Sequence, residues 1–186
     1  MANSLTSSPL IFDGHNDALF RLFRAGGDPA ALFGQDQGNV NVPAAQRGGF
    51  AGGLFAMFAL GESRGLDFSM FGKPPYDAPL PEPLAQPEAL RQTIAQAGIA
   101  HRLAESGHVR FCFSGHDVRR AMADGVMALV LHLEGAEAIG PELLELDALY
   151  ALGLRSLGPV WSRPTIFGHG VPFRFPSDGD IGPGLT

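Results

Sequence analysis

Eight residues from Val126 to Leu133, Val-Met-Ala-Leu-Val-Leu-His-Leu, carry a single polar side chain and run straight into Glu134-Gly135. A half-buried strand alternates apolar and polar residues, so an unbroken apolar run of this length predicts a strand covered on both faces. Strands of that kind belong to parallel sheets, whose crossovers are helices packed on the two sides. Much of the chain keeps to this scheme. Leu54 to Leu60, introduced by Gly48-Gly49 and Gly52-Gly53, reads as a second doubly covered strand, and Leu10-Ile11-Phe12, Val109 to Phe113 and Leu154 to Val160 read as three shorter ones. Leu90, Ile94, Ala97 and Ala100-His101 fall at helical spacing between Pro87 and Ser106, and Ser114 with Asp117 resembles a capping box opening a short helix that ends near Gly125. Pro141 to Leu152 predicts another helix, with Leu143, Leu144, Leu146, Leu149 and Leu152 facing inward and Gly153 at its end. Strands alternating with helices make an α/β fold built of βαβ units.

Two stretches break the alternation. Lys73 to Pro87 holds six prolines in fifteen residues, which predicts a long loop because proline removes a backbone donor and fits neither helix nor strand interiors. From Trp161 onward the chain is rich in Gly and Pro and has no periodicity. Both stretches follow strands.

With 45% hydrophobic and 17% charged residues, the composition is that of a globular protein rather than a disordered one. Nineteen acidic against 13 basic residues give a net charge of −6, and the basic residues are scattered, so no nucleic-acid partner is expected. Cys112 is the only cysteine, which rules out an intrachain disulfide and suits a reducing compartment. Met1 to Pro9 lacks the basic and apolar regions of a secretory signal, and no apolar run approaches the roughly 20 residues of a membrane span. The expectation is a cytoplasmic protein with no membrane partner.

Side chains two apart on a strand share a face, so His15 and Asp17, just after Leu10-Ile11-Phe12, are expected on one side of a strand end. An imidazole nitrogen and a carboxylate oxygen there make half of a zinc site, although a hydrogen-bonded polar pair is the blander reading. Glu134 is the second candidate. A carboxylate delivered by so apolar a strand must be paired, protonated, metal-bound or at the solvent-facing mouth, since an unpaired buried charge costs several kcal/mol. His132 shares its face one layer deeper and is expected to be a hydrogen-bonded interior histidine rather than a ligand.

Phe12-Asp13-Gly14-His15-Asn16-Asp17 resembles the opening metal motif of the renal (membrane) dipeptidase family. Val42-Pro43 through Arg47-Gly48-Gly49-Phe50-Ala51-Gly52-Gly53-Leu54-Phe55, Leu131 to Gly135, and Tyr150 to Leu157 resemble its next segments in the same order. The resemblance implies a (β/α)8 barrel, of which residues 1–186 would be the N-terminal part with about five of the eight strands. It further implies a dipeptidase in which two zinc ions and a bridging hydroxide cleave a dipeptide. By position, His15 and Asp17 would bind one zinc and Glu134 would bridge the pair. The family's remaining ligands lie on later strands, so residues 1–186 alone are expected to be inactive, and the full-length protein is expected to be a homo-oligomer.

Where the family commonly has Thr-His after the fifth strand, this chain has Val160-Trp161-Ser162. Trp161 can donate from its indole N–H but cannot accept a hydrogen bond. His169, within Gly168-His169-Gly170, is a candidate substitute at the substrate mouth, against the plainer reading of a surface-loop histidine. Two other functions stay open at this point: another amidohydrolase acting on a small amide or lactone, which would more usually open with His-x-His, and a non-catalytic half-barrel.

Overall fold

The computed structural model describes residues 9–61, 68–177 and 184–186. In chain order its elements are β1 (Ile11–Asn16), α1 (Ala18–Ala25), α2 (Pro29–Phe33), α3 (Val42–Gly48), β2 (Phe50–Phe58), β3 (Tyr76–Ala78), α4 (Gln86–Glu105), β4 (Val109–Phe111), α5 (Gly115–Ala123), β5 (Met127–Glu134), α6 (Leu144–Ala151), β6 (Leu154–Gly158) and β7 (Phe173–Phe175). Five strands form one sheet in the order β1-β2-β5-β4, with β6 also paired to β5. Pairs β1–β2 and β4–β5 are parallel. All five strands read from the sequence are therefore present, in a largely parallel α/β sheet.

β5 is the most deeply covered of them. Ala128, Leu129, Leu131 and Leu133 are each at most 1% exposed. Burying each leucine contributes roughly 1.5–3 kcal/mol, which holds the strand at the centre of the sheet. β2 comes so close to β5 that a Cβ on Gly52, whose φ is +155°, would collide with the backbone of Ala128. Only glycine fits there.

The chain divides into two compact units, Met1–Ala56 with Gln96–Leu131, and Met57–Ala95 with His132–Thr186. In the first, α1 buries Ala18, Leu19 and Leu22, and α5 lays Ala121 against Cys112 and Ala128. The Ser114 box forms as expected. The Ser114 hydroxyl accepts from the Asp117 N–H at 3.2 Å and donates to the Asp117 carboxylate at 2.8 Å, while that carboxylate accepts from the Phe113 N–H at 3.1 Å. Helices α1 to α3 were not anticipated. Two of them carry a start signal: Asp28 before Pro29 caps α2, and Asn41 two residues before Pro43 caps α3 through a 2.8 Å bond from the Ala44 N–H.

In the second unit, Ala59, Ala89 and Ala138 form a small core with Leu84 and Leu90 against it. Three expectations fail here. The proline-rich stretch is not wholly loop, because Tyr76-Asp77-Ala78, free of proline between Pro75 and Pro79, forms β3 and pairs antiparallel with β7. Likewise the segment after Trp161 is not wholly irregular, since it supplies β7. An exposed two-stranded ribbon tolerates proline at its ends because it needs few ladder donors. The inward leucines of the expected helix over Pro141–Leu152 also fail: Leu143, Leu144 and Leu152 are exposed, and Leu149 is the buried one of α6. A helix of two turns buries one stripe, so leucines that lie off that stripe stay in solvent.

Candidate metal centre

The end of β1 is organised by Asn16, which is buried between two exposed neighbours, His15 and Asp17. Its amide donates to the Leu54 carbonyl at 3.3 Å and to the Asp13 carboxylate at 3.1 Å, and its oxygen accepts from the Ala18 N–H at 3.3 Å. One buried side chain thus ties β1 to β2 and to the start of α1. The expected period-two arrangement is corrected in one respect. Asp17 is not in the strand but at the N-cap position of α1, with φ −97° and ψ 25°. The turn rather than the pleat brings it round, and His15 Nε2 lies 3.4 Å from Asp17 Oδ1. Two ligand atoms each about 2.1 Å from a tetrahedral zinc are themselves about 3.4 Å apart. The donor types, the spacing and the exposure of both side chains fit a metal ion.

Glu134 is the last residue of β5 and is half-buried. Its backbone is fixed from the following residues: the Gly135 N–H donates to the Gly158 carbonyl at 2.9 Å and the Ala136 N–H to the Pro159 carbonyl at 3.1 Å. Gly135 has φ +86°, and a Cβ there would meet the Glu137 carboxylate, so the sharp turn after Glu134 requires glycine. His132 is held as expected of an interior histidine, with Nδ1 2.8 Å from the Ser156 hydroxyl on β6.

Trp161 follows β6 by three residues, packing edge-on against Phe58 at 5.6 Å and against Phe173 at 5.8 Å between ring centres, and is 37% exposed. His169 is exposed, with its N–H donating to the Gly184 carbonyl at 3.1 Å.

Sequence reasoning missed Arg163 and Glu137. Arg163 donates through Nε to the Glu82 carbonyl at 3.1 Å, and through Nη1 to the Ala59 carbonyl at 2.8 Å and to Glu137 Oε1 at 3.1 Å. Both side chains are almost wholly buried, 6% and 5% exposed. Burial pushes the Glu137 carboxyl above its ordinary range, against the pull of a backbone N–H and of Arg163. The available signal was Glu137 itself, a lone carboxylate within Ala136-Glu137-Ala138-Ile139.

The family model for membrane dipeptidase (peptidase family M19) matches residues 1–179. An uncharacterized protein in the PQQ-III 3′ region of Acinetobacter calcoaceticus is 38% identical over 185 residues, covering 95% of this chain and 56% of its own length. Among solved structures, a metallopeptidase from Rhodobacter sphaeroides, liganded with a phosphinate mimic of the dipeptide L-Ala-D-Ala, is similar with a TM-score of 0.88 and 41% identity, covering 97% of this chain and 53% of that one. A dipeptidase AC of family M19 gives a TM-score of 0.86 at 43% identity, covering 95% of this chain and 51% of that one. The chain spans about half the length of these relatives.

Proposed function

Because the chain belongs to the membrane dipeptidase family, peptidase family M19, we propose that it supplies the first part of a zinc-dependent dipeptidase centre, with His15, Asp17 and Glu134 as metal ligands. The observation that carries the reading is the His15–Asp17 pair at the carboxyl end of β1, with a nitrogen and an oxygen 3.4 Å apart and open to solvent. The donor set is mixed imidazole and carboxylate, which suits zinc. Zinc bound there would polarise the scissile carbonyl and activate water near neutral pH.

The chain's own residues do the positioning. His15 would hold the ion through Nε2, the nitrogen that faces Asp17. Asn16, buried between the two proposed ligands, fixes the turn that would let Asp17 and His15 hold the same ion. Glu134, half-buried at the end of an apolar strand, would hold metal through its carboxylate. The substrate proposed is a dipeptide, a class supported by the dipeptide mimic bound to the Rhodobacter relative. Among the described residues no helix is long and apolar enough to cross a membrane. A cytoplasmic setting is proposed on the single thiol, Cys112, which is buried and held above its ordinary pKa by that burial.

Metal analysis of a full-length version tests this. Two zinc ions per chain with turnover of dipeptides is the expected result, and a folded, active protein that binds no metal would contradict it.

A further inference from the structure

Three links zip the chain after Glu134 to the chain after β6. Two are the backbone bonds from Gly135 to Gly158 and from Ala136 to Pro159. The third is the buried contact between Glu137 and Arg163. Trp161 lies inside this zipped segment, two residues from each of Pro159 and Arg163. The Arg163 guanidinium is also spoken for on two other sides, by the carbonyl of Ala59, next to Phe58 at the end of β2, and by that of Glu82 in the proline-rich stretch. Phe58 in turn meets the Trp161 ring. A single buried fork therefore joins four segments, one of which carries Trp161 and another, the end of β2, its ring partner Phe58.

Stability alone does not account for such a device. Burying an ion pair removes two charges from water, and well-packed apolar replacements are often neutral or stabilising. Arginine is suited instead to fixing geometry, because its planar donors meet several acceptors at set angles where lysine offers a flexible point charge. Trp161 itself keeps one side open while Phe58 and Phe173 hold it edge-on.

We propose that Arg163, anchored by Glu137, is a positioning residue that fixes the Trp161 ring against Phe58 and Phe173 and thereby sets which dipeptide side chains are accepted. The substrate half of this inference rests on the dipeptidase reading above; the positioning half does not.

Trp161 is the chain's only tryptophan, so its fluorescence reads the ring directly, with or without metal. Arg163→Met and Glu137→Gln should shift Trp161 emission to the red and raise its quenching by acrylamide, Arg163→Lys should restore part of the parent behaviour, and Arg174→Lys, at the exposed pair with Asp77, should change neither. In the zinc-loaded full-length protein, KM for dipeptides with large apolar side chains should rise about tenfold while KM for small ones and kcat hold within about twofold. Glu137→Gln, which keeps the shape of the side chain, carries the test if Arg163→Met does not fold. Unchanged Trp161 emission and quenching in folded variants would overturn the positioning role. Altered emission with an unchanged dipeptide ranking would overturn the selectivity role. A protein without dipeptidase activity would fail the metal reading while the fluorescence still decides the positioning.

Discussion

His15 Nε2 and Asp17 Oδ1 stand 3.4 Å apart although the first belongs to β1 and the second begins the turn into α1. The residue between them makes this possible. Asn16 spends its amide on β2 and on Asp13 and its oxygen on α1, so the strand ends and the helix starts within one residue and both potential ligands point outward.

Asn16→Ala should therefore do two things. It leaves the half-buried Leu54 carbonyl and the buried Ala18 N–H short of a partner, costing about 1–3 kcal/mol. It also loosens the pair, lowering zinc affinity roughly 10–100-fold, as loss of a residue that orients metal ligands does. Urea unfolding and a competitive zinc titration measure the two effects. A variant with parent zinc affinity would show that the turn does not need this side chain.

The Glu137 carboxyl makes a pH prediction of opposite sign to that of most carboxylates. Burial raises its pKa from the ordinary 4.5, so the fold holds this proton more tightly than the unfolded chain does. The group's contribution to stability is then fully present below pH 4.5 and lost as pH rises through the raised value. Glu137→Gln mimics the protonated form, so its unfolding midpoint should gain on the parent's between pH 4 and pH 7. If the parent gains on the variant over that range, Arg163 outweighs burial.

The sequence disclosed the parallel sheet because strands covered on both faces must be apolar throughout, as in β5. It offered His15, Asp17 and Glu134 as candidates because polar residues at the ends of apolar strands are conspicuous. It hid what depends on distant partners. The three residues of β3 show no strand signal until β7 lies beside them, the exposure of Leu143 and Leu144 depends on which stripe of α6 meets the sheet, and Arg163 in a glycine- and proline-rich segment looks like a surface cation until Glu137 and two carbonyls surround it. The short helices α2 and α3 were legible in their Asp28-Pro29 and Asn41-Val42-Pro43 caps, a signal passed over because their apolar periodicity is too brief.

Trp161→His should alter selectivity rather than chemistry, since in the proposed centre the metals and their ligands would supply most of the charge stabilisation. The relative kcat/KM across a dipeptide panel should move toward dipeptides favoured by relatives with histidine there, with the best substrate retained within about tenfold, a shift of about 1.4 kcal/mol. An identical ranking would remove Trp161 from the substrate mouth.

The central claim is that Glu134 bridges two metal ions whose first ligands are His15 and Asp17. Losing the bridge would leave two cations repelling each other at close range. The most direct measurement is the zinc content of the purified full-length Glu134→Ala protein beside the parent and His132→Ala. The account predicts two zinc ions in the parent and in His132→Ala, at most one loosely held ion in Glu134→Ala, and turnover lost only in the last. Two tightly held zinc ions in Glu134→Ala, with turnover intact, would contradict it.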